Sequence, residues 1–228
     1  MVKTTMFDGL LAQFAPHSCS GCGFLGTILC YSCKNNITSE IWANCVLCER
    51  PCGQSGMCRK CVGTVPFEQI WAIGQRRGEL EKLIDEYKFS SKRETASVIA
   101  ELLHYRLPVI PSDTVIVGIP ASSHAKRVRG FDHMELIVKS FAQIRNLTIA
   151  NPLVRIFDQE LHTMGRKQRI ALKDELFALS GRVVPSKILL VDDILTTGTT
   201  MSSAANLLRN SGASCIYGAV VARQPFDK

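Results

Sequence analysis

The sequence predicts an α/β protein in which a parallel sheet carries helices on both faces and follows a small cysteine-rich segment. In the C-terminal part, short apolar runs of strand length alternate with longer runs that repeat apolar residues at helical spacing, and this alternation favours a parallel sheet. In the N-terminal part, nine of the ten cysteines fall between residues 19 and 61. We therefore place a domain boundary after residue 66, with a cysteine-rich domain over 1–66 and an α/β domain over 67–228.

The predicted strands are short runs of β-branched and other apolar residues, at 71–73, 115–119, 153–157, 188–191 and 215–221. The predicted helices repeat apolar residues every three or four positions, at 79–107 with an interruption near 89–91, at 132–145, and after Gly198. Ligands of such folds bind at the carboxyl ends of the strands. The segments after the strands at 115–119 and 188–191 are therefore the first candidates for a site.

The stretch KILLVDDILTTGTTM, residues 187–201, runs from an apolar strand into two acids and then into a threonine loop around one glycine. Backbone N–H groups at the start of the following helix are unpaired and can bind an anion. Gly198 allows a close approach of the main chain. The carboxylates only accept hydrogen bonds, which suits the paired hydroxyls of a ribose.

This stretch resembles the 5-phosphoribosyl-1-diphosphate (PRPP) motif of type I phosphoribosyltransferases. The resemblance implies a phosphoribosyltransferase-like fold, in which Asp192 and Asp193 hold the ribose hydroxyls. It also implies that the loop takes the 5′-phosphate through Thr196, Thr197, Gly198, Thr199 and Thr200. The alternative is a strand end with a capping turn, as in response-regulator or dehydrogenase-like sheets.

Four C-x2-C pairs predict two structural zinc sites. Each pair forms a tight turn, a knuckle, that supplies two thiolates, and two knuckles complete a tetrahedral four-sulfur site. The simplest grouping follows the chain, with Cys19, Cys22, Cys30 and Cys33 on one ion and Cys45, Cys48, Cys58 and Cys61 on the other. An interleaved grouping, disulfides and an iron–sulfur cluster are the alternatives. Cys52 is a competing ligand, whereas Cys215 lies in an apolar strand and is expected to pack in the core.

The formal charge of +7 counts thiols as neutral. Eight thiolates and two zinc ions would reduce it to about +3. The same count takes residues 1–66, with five basic and three acidic residues, from +2 to about −2, so the cysteine-rich domain is a poor electrostatic clamp for nucleic acid. No run approaches the ~20 apolar residues that span a bilayer, and the N-terminus has no secretory signal pattern. We expect a cytoplasmic protein that does not insert into membranes.

The stretch VGIPASSHAKRVRGFDHMELIVKSFA, residues 117–142, resembles the region of ComF-type proteins in which an R-G-F-N-Q run follows the pyrophosphate loop. Here Asp132 and His133 replace the Asn and Gln. Lys88 and Phe89 also resemble a lysine–aromatic pair of that family. A multi-cysteine zinc module joined to a PRPP domain is itself the ComF arrangement, so the resemblance covers nearly the whole chain.

The resemblance implies that PRPP binds with Mg²⁺ and that pyrophosphate is displaced at the anomeric carbon. Candidate residues for the diphosphate follow the strand at 115–119, and they are Ala121, Ser122, Ser123, Lys126, Arg127 and Arg129. The basic segment 158–173 is either a lid that excludes water or an exposed basic helix.

Family membership implies a role in natural competence and DNA uptake, alongside a competence helicase partner. Weak binding of single-stranded DNA by the basic residues is a further expectation. The acceptor base is not readable from the sequence. Two other functions stay open: a non-catalytic PRPP-binding regulator that binds single-stranded DNA or a protein, and a nucleotide-salvage phosphoribosyltransferase.

Overall fold

The computed structural model describes residues 17–40, 43–53, 56–90, 92–156 and 176–225, without the side chains at positions 124, 125 and 129. The helices in these ranges are α1 (Tyr31–Ser39), α2 (Gly78–Phe89), α3 (Thr95–Arg106), α4 (Ser123–Arg129), α5 (His133–Arg145) and α6 (Thr199–Asn210). The strands are β1 (Gln69–Gln75), β2 (Val115–Gly118), β3 (Thr148–Ile149), β4 (Leu153–Arg155), β5 (Phe177–Leu179), β6 (Lys187–Leu195) and β7 (Cys215–Arg223).

The main sheet has the strand order β1-β7-β6-β2-β3, and all neighbouring strands in it are parallel. The predicted α/β class is therefore confirmed. The strand predicted at 153–157 is not part of this sheet. Its described portion is β4, which pairs antiparallel with β5 in a separate ribbon. Strands β4 and β5 have only three residues each and satisfy each other's backbone groups.

Alternate residues of β6 enter two hydrophobic cores, one on each face of the sheet. Leu189 and Val191 pack with α2, α3 and α5, whereas Ile188 and Leu190 pack with α6 on the opposite face. Both sets are fully buried. This two-sided burial explains the continuous apolar run in the sequence, which is typical of a central parallel strand.

Strand β6 extends beyond the predicted range 188–191, so that Asp192 and Asp193 lie within the strand and not in a turn. The reason is the length of β7, which pairs with β6 as far as the register Leu195↔Arg223. The prediction stopped at the acids because the sequence of β6 alone does not reveal how far its neighbour extends.

The cysteine-rich segment packs on both faces of the sheet beside the edge strand β1. Cys19 and Cys33 join the core under α2 and α3, whereas Cys45 and Cys58 join the core under α6. Gly56 lies so close to β1 that a Cβ atom on it would come within 2.2 Å of the carbonyl oxygen of Ile70. The segment therefore covers the edge strand closely, and the predicted boundary after residue 66 stays a prediction.

Candidate functional site

The two acids lie at the carboxyl end of β6, and neighbouring backbone N–H groups fix their side chains. The N–H of Asp193 donates to Oδ1 of Asp192 at 2.9 Å, and the N–H of Ile194 donates to Oδ1 of Asp193 at 2.6 Å. Asp192 is 8% exposed. Each carboxylate is therefore held in one orientation and only partly open to a ligand.

Two residues that are distant in sequence converge on Asp193. The Nζ of Lys88, near the end of α2, lies 2.5 Å from Oδ2 of Asp193, and Nε2 of His133 lies 2.9 Å from the same oxygen. Because an ionised carboxylate has no proton to donate, the proton of this second hydrogen bond belongs to His133. The hydroxyl of Tyr87 donates to the backbone carbonyl of His133 at 2.7 Å and so fixes the start of α5.

These surroundings shift the pKa values of the two acids in opposite directions. Burial, followed by the charge of Asp193, raises the pKa of Asp192 to about 8. Burial also acts to raise the pKa of Asp193, but the hydrogen bond from His133 and the charge of Lys88 outweigh it and hold this pKa well below its usual range. Of the two acids, Asp193 is therefore the one that holds a negative charge more readily.

The phosphate loop, residues 196–200, joins β6 to α6. Thr196 and Thr197 are exposed, and Gly198 has a φ of 80°, a conformation that residues with a side chain rarely adopt. Helix α6 begins at Thr199 without a side-chain cap from Gly198 and without an acid in its first turn. The N–H of Thr199 donates to Oγ1 of Thr197 at 3.4 Å. N–H groups at the positive end of a helix, with threonine hydroxyls beside them, can bind an anion.

A second loop lies beside the acids because β2 and β6 are neighbours in the sheet. Gly118 is in register with Val191, and the N–H of Ile119 donates to the carbonyl of Val191 at 2.9 Å. The candidates Ala121, Ser122 and Ser123 follow and are half-buried. Arg129 is the last residue of α4, and its side chain lies outside the described residues, as does the predicted lid at 158–173.

The Asp at the Asn position of the R-G-F-N-Q run is explained by helix capping. Asp132 is the N-cap of α5, and its Oδ1 accepts from the N–H groups of Met134 and Glu135 at 3.1 and 3.3 Å. Asn and Asp cap helices about equally well. Its Oδ2 lies 2.7 Å from Nζ of Lys126, so this candidate cation is paired with an acid in the structure.

The eight paired cysteines form two clusters in the predicted sequential grouping. The sulfur atoms of Cys19, Cys22, Cys30 and Cys33, and separately those of Cys45, Cys48, Cys58 and Cys61, lie within 4.8 Å of one another. Sulfurs of different knuckles approach to 3.7 Å between Cys22 and Cys30 and to 3.6 Å between Cys48 and Cys58. Four sulfurs at 2.3 Å from a tetrahedral zinc would be about 3.8 Å apart.

The groups around these sulfur atoms suit the binding of a cation. All ten cysteines are described, and no disulfide joins any of them. Burial acts to raise the pKa of Cys19, but backbone N–H groups of Cys30, Cys22 and Gly21 outweigh it and lower the pKa to about 6. Burial and the neighbouring thiols raise the pKa of Cys33. A cluster that favours one thiolate and resists further negative charge could hold a zinc ion, whose two positive charges would offset half of the charge of four thiolates.

Comparison with known proteins adds three findings. Residues 144–228 match the family described as phosphoribosyl transferase domain. The chain is 26% identical over 215 residues to the DNA utilization protein YhgH of Salmonella typhi, covering 82% of this chain and 93% of that protein. It is 28% identical over 182 residues to the competence protein ComFC of Streptococcus pneumoniae, covering 80% of this chain and 76% of that protein.

Among solved structures, a hypoxanthine phosphoribosyltransferase from Staphylococcus aureus aligns over 61% of this chain and 69% of that chain, with 17% identity and a TM-score of 0.34. In the part of this chain that the structure describes, every helix is too short or too polar to cross a lipid bilayer.

Proposed function

Because the chain contains a phosphoribosyltransferase domain and, as its motifs predicted, is a relative of the ComFC and YhgH proteins, we propose that it binds PRPP together with Mg²⁺. The observation that carries this proposal is the position of the acid pair between two loops at one edge of the sheet. The phosphate loop follows β6, and the loop at 119–123 follows the neighbouring strand β2. A sugar with a phosphate at one end and a diphosphate at the other would lie over the acid pair with one end toward each loop.

In this proposal each group has one task. The 5′-phosphate lies on the first N–H groups of α6 and the hydroxyls of Thr197 and Thr199, whose Oγ1 atoms are 2.9 Å apart. Asp192 and Asp193 accept hydrogen bonds from the ribose hydroxyls. Lys88 and His133 hold Asp193 in place, and the loop at 119–123 faces the diphosphate. Lys88 and His133 are thus positioning residues.

The donor set also fits magnesium, which prefers oxygen ligands and usually completes its shell with water and substrate phosphate. Acidic side chains beside a phosphate loop provide such oxygens. When bound, Mg²⁺ would neutralise part of the diphosphate charge and make pyrophosphate a better leaving group. The acids would then orient the ribose ring and stabilise positive charge at the anomeric carbon.

The experiment is thermal unfolding with PRPP and Mg²⁺. A ligand at ~100 times its dissociation constant stabilises the folded state by ~2.7 kcal/mol. We expect this shift in the wild type and in D113N, which changes an exposed acid far from the loops, and no shift in the double variant D192N/D193N. An unchanged response in the double variant would contradict the assignment. Release of pyrophosphate with a panel of bases then separates a transferase from a PRPP-binding regulator.

The names of the relatives suggest where this chemistry is used. We infer that the protein works in the cytoplasm on the use of incoming DNA, because its relatives are named for competence and for DNA utilization. Deleting the gene should lower transformation by DNA or growth on DNA, and the D192N/D193N variant should fail to restore it. A helicase partner and weak binding of single-stranded DNA remain predictions. Normal transformation and growth in the deletion strain would contradict this role.

A further inference from the structure

The second cysteine cluster, formed by Cys45, Cys48, Cys58 and Cys61, lies on the same face of the sheet as the phosphate loop. Cys45 and Cys58 share a hydrophobic core with Leu195, the residue that precedes the loop, and with Met201 in the first turn of α6. Leu47, between the two cysteines of the first knuckle, packs against this core. The cluster and the loop therefore have one packed layer between them.

Leu47 lies beside the loop. Its Cδ2 is 3.8 Å from the position that a Cβ atom would take on Gly198, and Leu195 is equally close to that position. The side chain of Leu47 therefore borders the loop at the residue with the positive φ. The position of Leu47 depends in turn on Cys45 and Cys48, which flank it in a turn closed by the hydrogen bond from the N–H of Glu49 to the carbonyl of Cys45 at 2.8 Å.

A buried arginine holds the start of the loop from the end of β7. Arg223 is 2% exposed, and its Nη1 donates to the carbonyl of Leu195 at 2.9 Å. The same carbonyl accepts from the N–H of Gln224 at 2.9 Å, so the loop begins from a fixed backbone position.

The first cysteine cluster has a different environment. Cys19 and Cys33 pack with Leu29 and Ile37 in the core on the opposite face, against α2 and α3. The phosphate loop belongs to the other core. The chain therefore offers an internal control, because two similar four-cysteine clusters lie on opposite sides of one sheet.

We propose that the second cysteine cluster positions the phosphate loop through Leu47, so that zinc binding at this cluster and phosphate binding at the loop strengthen each other. The first cluster does not take part in this coupling. The inference rests on the proposed function, since it assumes that the loop binds a phosphate. Coupling between two sites is reciprocal in affinity, so a phosphate ligand must raise the zinc affinity of the second cluster alone. We expect this gain in affinity as slower loss of zinc from that cluster.

The experiment follows zinc release to a colorimetric chelator with and without ribose 5-phosphate, a probe that presents the phosphate without a diphosphate and needs no added magnesium. Binding of the probe is measured separately by thermal shift. We expect two zinc ions per chain and a release rate that falls about fivefold or more for only one of them. Slowing of both ions, or of neither although the probe binds, would overturn the coupling and leave the proposed function intact.

Two matched variants locate the effect. L47A truncates the side chain that supports Gly198, and L29A makes the same truncation beside the first cluster. Both should retain two zinc ions. L47A should weaken ribose 5-phosphate binding about fivefold or more and lose the protection of the second zinc, while L29A keeps both. Equal behaviour of the two variants would contradict the role of Leu47, and a wild type that binds neither ribose 5-phosphate nor PRPP would overturn both proposals together.

Discussion

His133 donates a hydrogen bond from Nε2 to Oδ2 of Asp193 across 2.9 Å, although the two residues are 60 positions apart. Lys88 approaches the same oxygen from a third element, α2. The second acid of the motif is therefore held by side chains from two helices before any ligand arrives. This is the arrangement expected of a group that has to keep its orientation while a sugar binds beside it.

Replacing His133 tests this arrangement. The variant H133A leaves a buried carboxylate with one hydrogen bond fewer, and lost bonds to charged groups cost about 1.5–3 kcal/mol. H133Q keeps a side-chain donor at this position and should lose less. Denaturant unfolding at neutral pH measures the stability, and PRPP affinity should fall in the order wild type, H133Q, H133A. If H133A binds PRPP as tightly as the wild type, His133 does not position Asp193.

The raised pKa of Asp192 predicts a pH dependence of stability. Its pKa is about 8 in the folded protein and near 4 in an unfolded chain, so the folded state binds more protons between these values. The contribution of Asp192 to the free energy of unfolding therefore falls as pH rises from about 4 through 8, by at most about 1.4 kcal/mol per pH unit. The variant D192N has no ionisable group at this position, so its free energy of unfolding should not show this decrease with pH.

Unfolding of D192N and of the wild type should be compared between pH 6 and pH 9, and the stability gained by D192N should grow with pH. The control D113N changes an exposed acid whose pKa is lowered by Lys187, so its difference from the wild type should stay constant over this range. A constant difference for D192N as well would show that Asp192 is ionised throughout.

Gly198 and Gly181 form a matched pair for testing the phosphate loop. Their φ angles are 80° and 78°, and a Cβ atom would meet only ordinary contacts at Gly198 and nothing within 4 Å at Gly181. Alanine in this conformation costs about 1–2 kcal/mol at either position. Both G198A and G181A should lower the melting temperature by a similar amount. Only G198A should weaken PRPP binding, and equal affinities would exclude a role for the loop backbone.

Metal content tests the two clusters. The purified protein should contain two zinc ions per chain, and C48S should retain one tightly bound ion, because a structural site needs four ligands. C52S is the control, since Cys52 lies outside both clusters and its Sγ is 3.7 Å from the carbonyl of Gly53. Loss of zinc in C52S, or two equally retained ions in C48S, would contradict the sequential grouping.

The sequence predicted those parts of the site that are contiguous in the chain. The acid pair, the threonine loop and the four cysteine pairs are local patterns with fixed spacing, and the structure brings each group together as expected. The sequence marks Lys88 and His133 only as parts of patterns that resemble the family. Their contact with Asp193 depends on how α2 and α5 pack on the sheet, which periodicity does not reveal.

The same limit explains the differences in the fold. The length of β6 is set by β7, and the ribbon of β4 and β5 is set by pairing between two three-residue segments. The positions of the cysteine clusters on opposite faces depend on the edge strand between them. All of these are properties of pairs of segments that are far apart in the chain.

The packing of the cysteine-rich segment has a consequence for protein synthesis. Cys45 and Cys58 leave the ribosome early, but the surface on which they pack includes Leu195 and Met201, which are made much later. At elongation speeds of ~5–20 residues per second this delay is on the order of ten seconds. A zinc ion bound by the cysteine pairs in that interval would protect their thiols, whereas the thiols of a metal-free segment would stay open to oxidation. For a protein with zinc in both clusters, the zinc supply at the moment of translation would then limit how much of it matures.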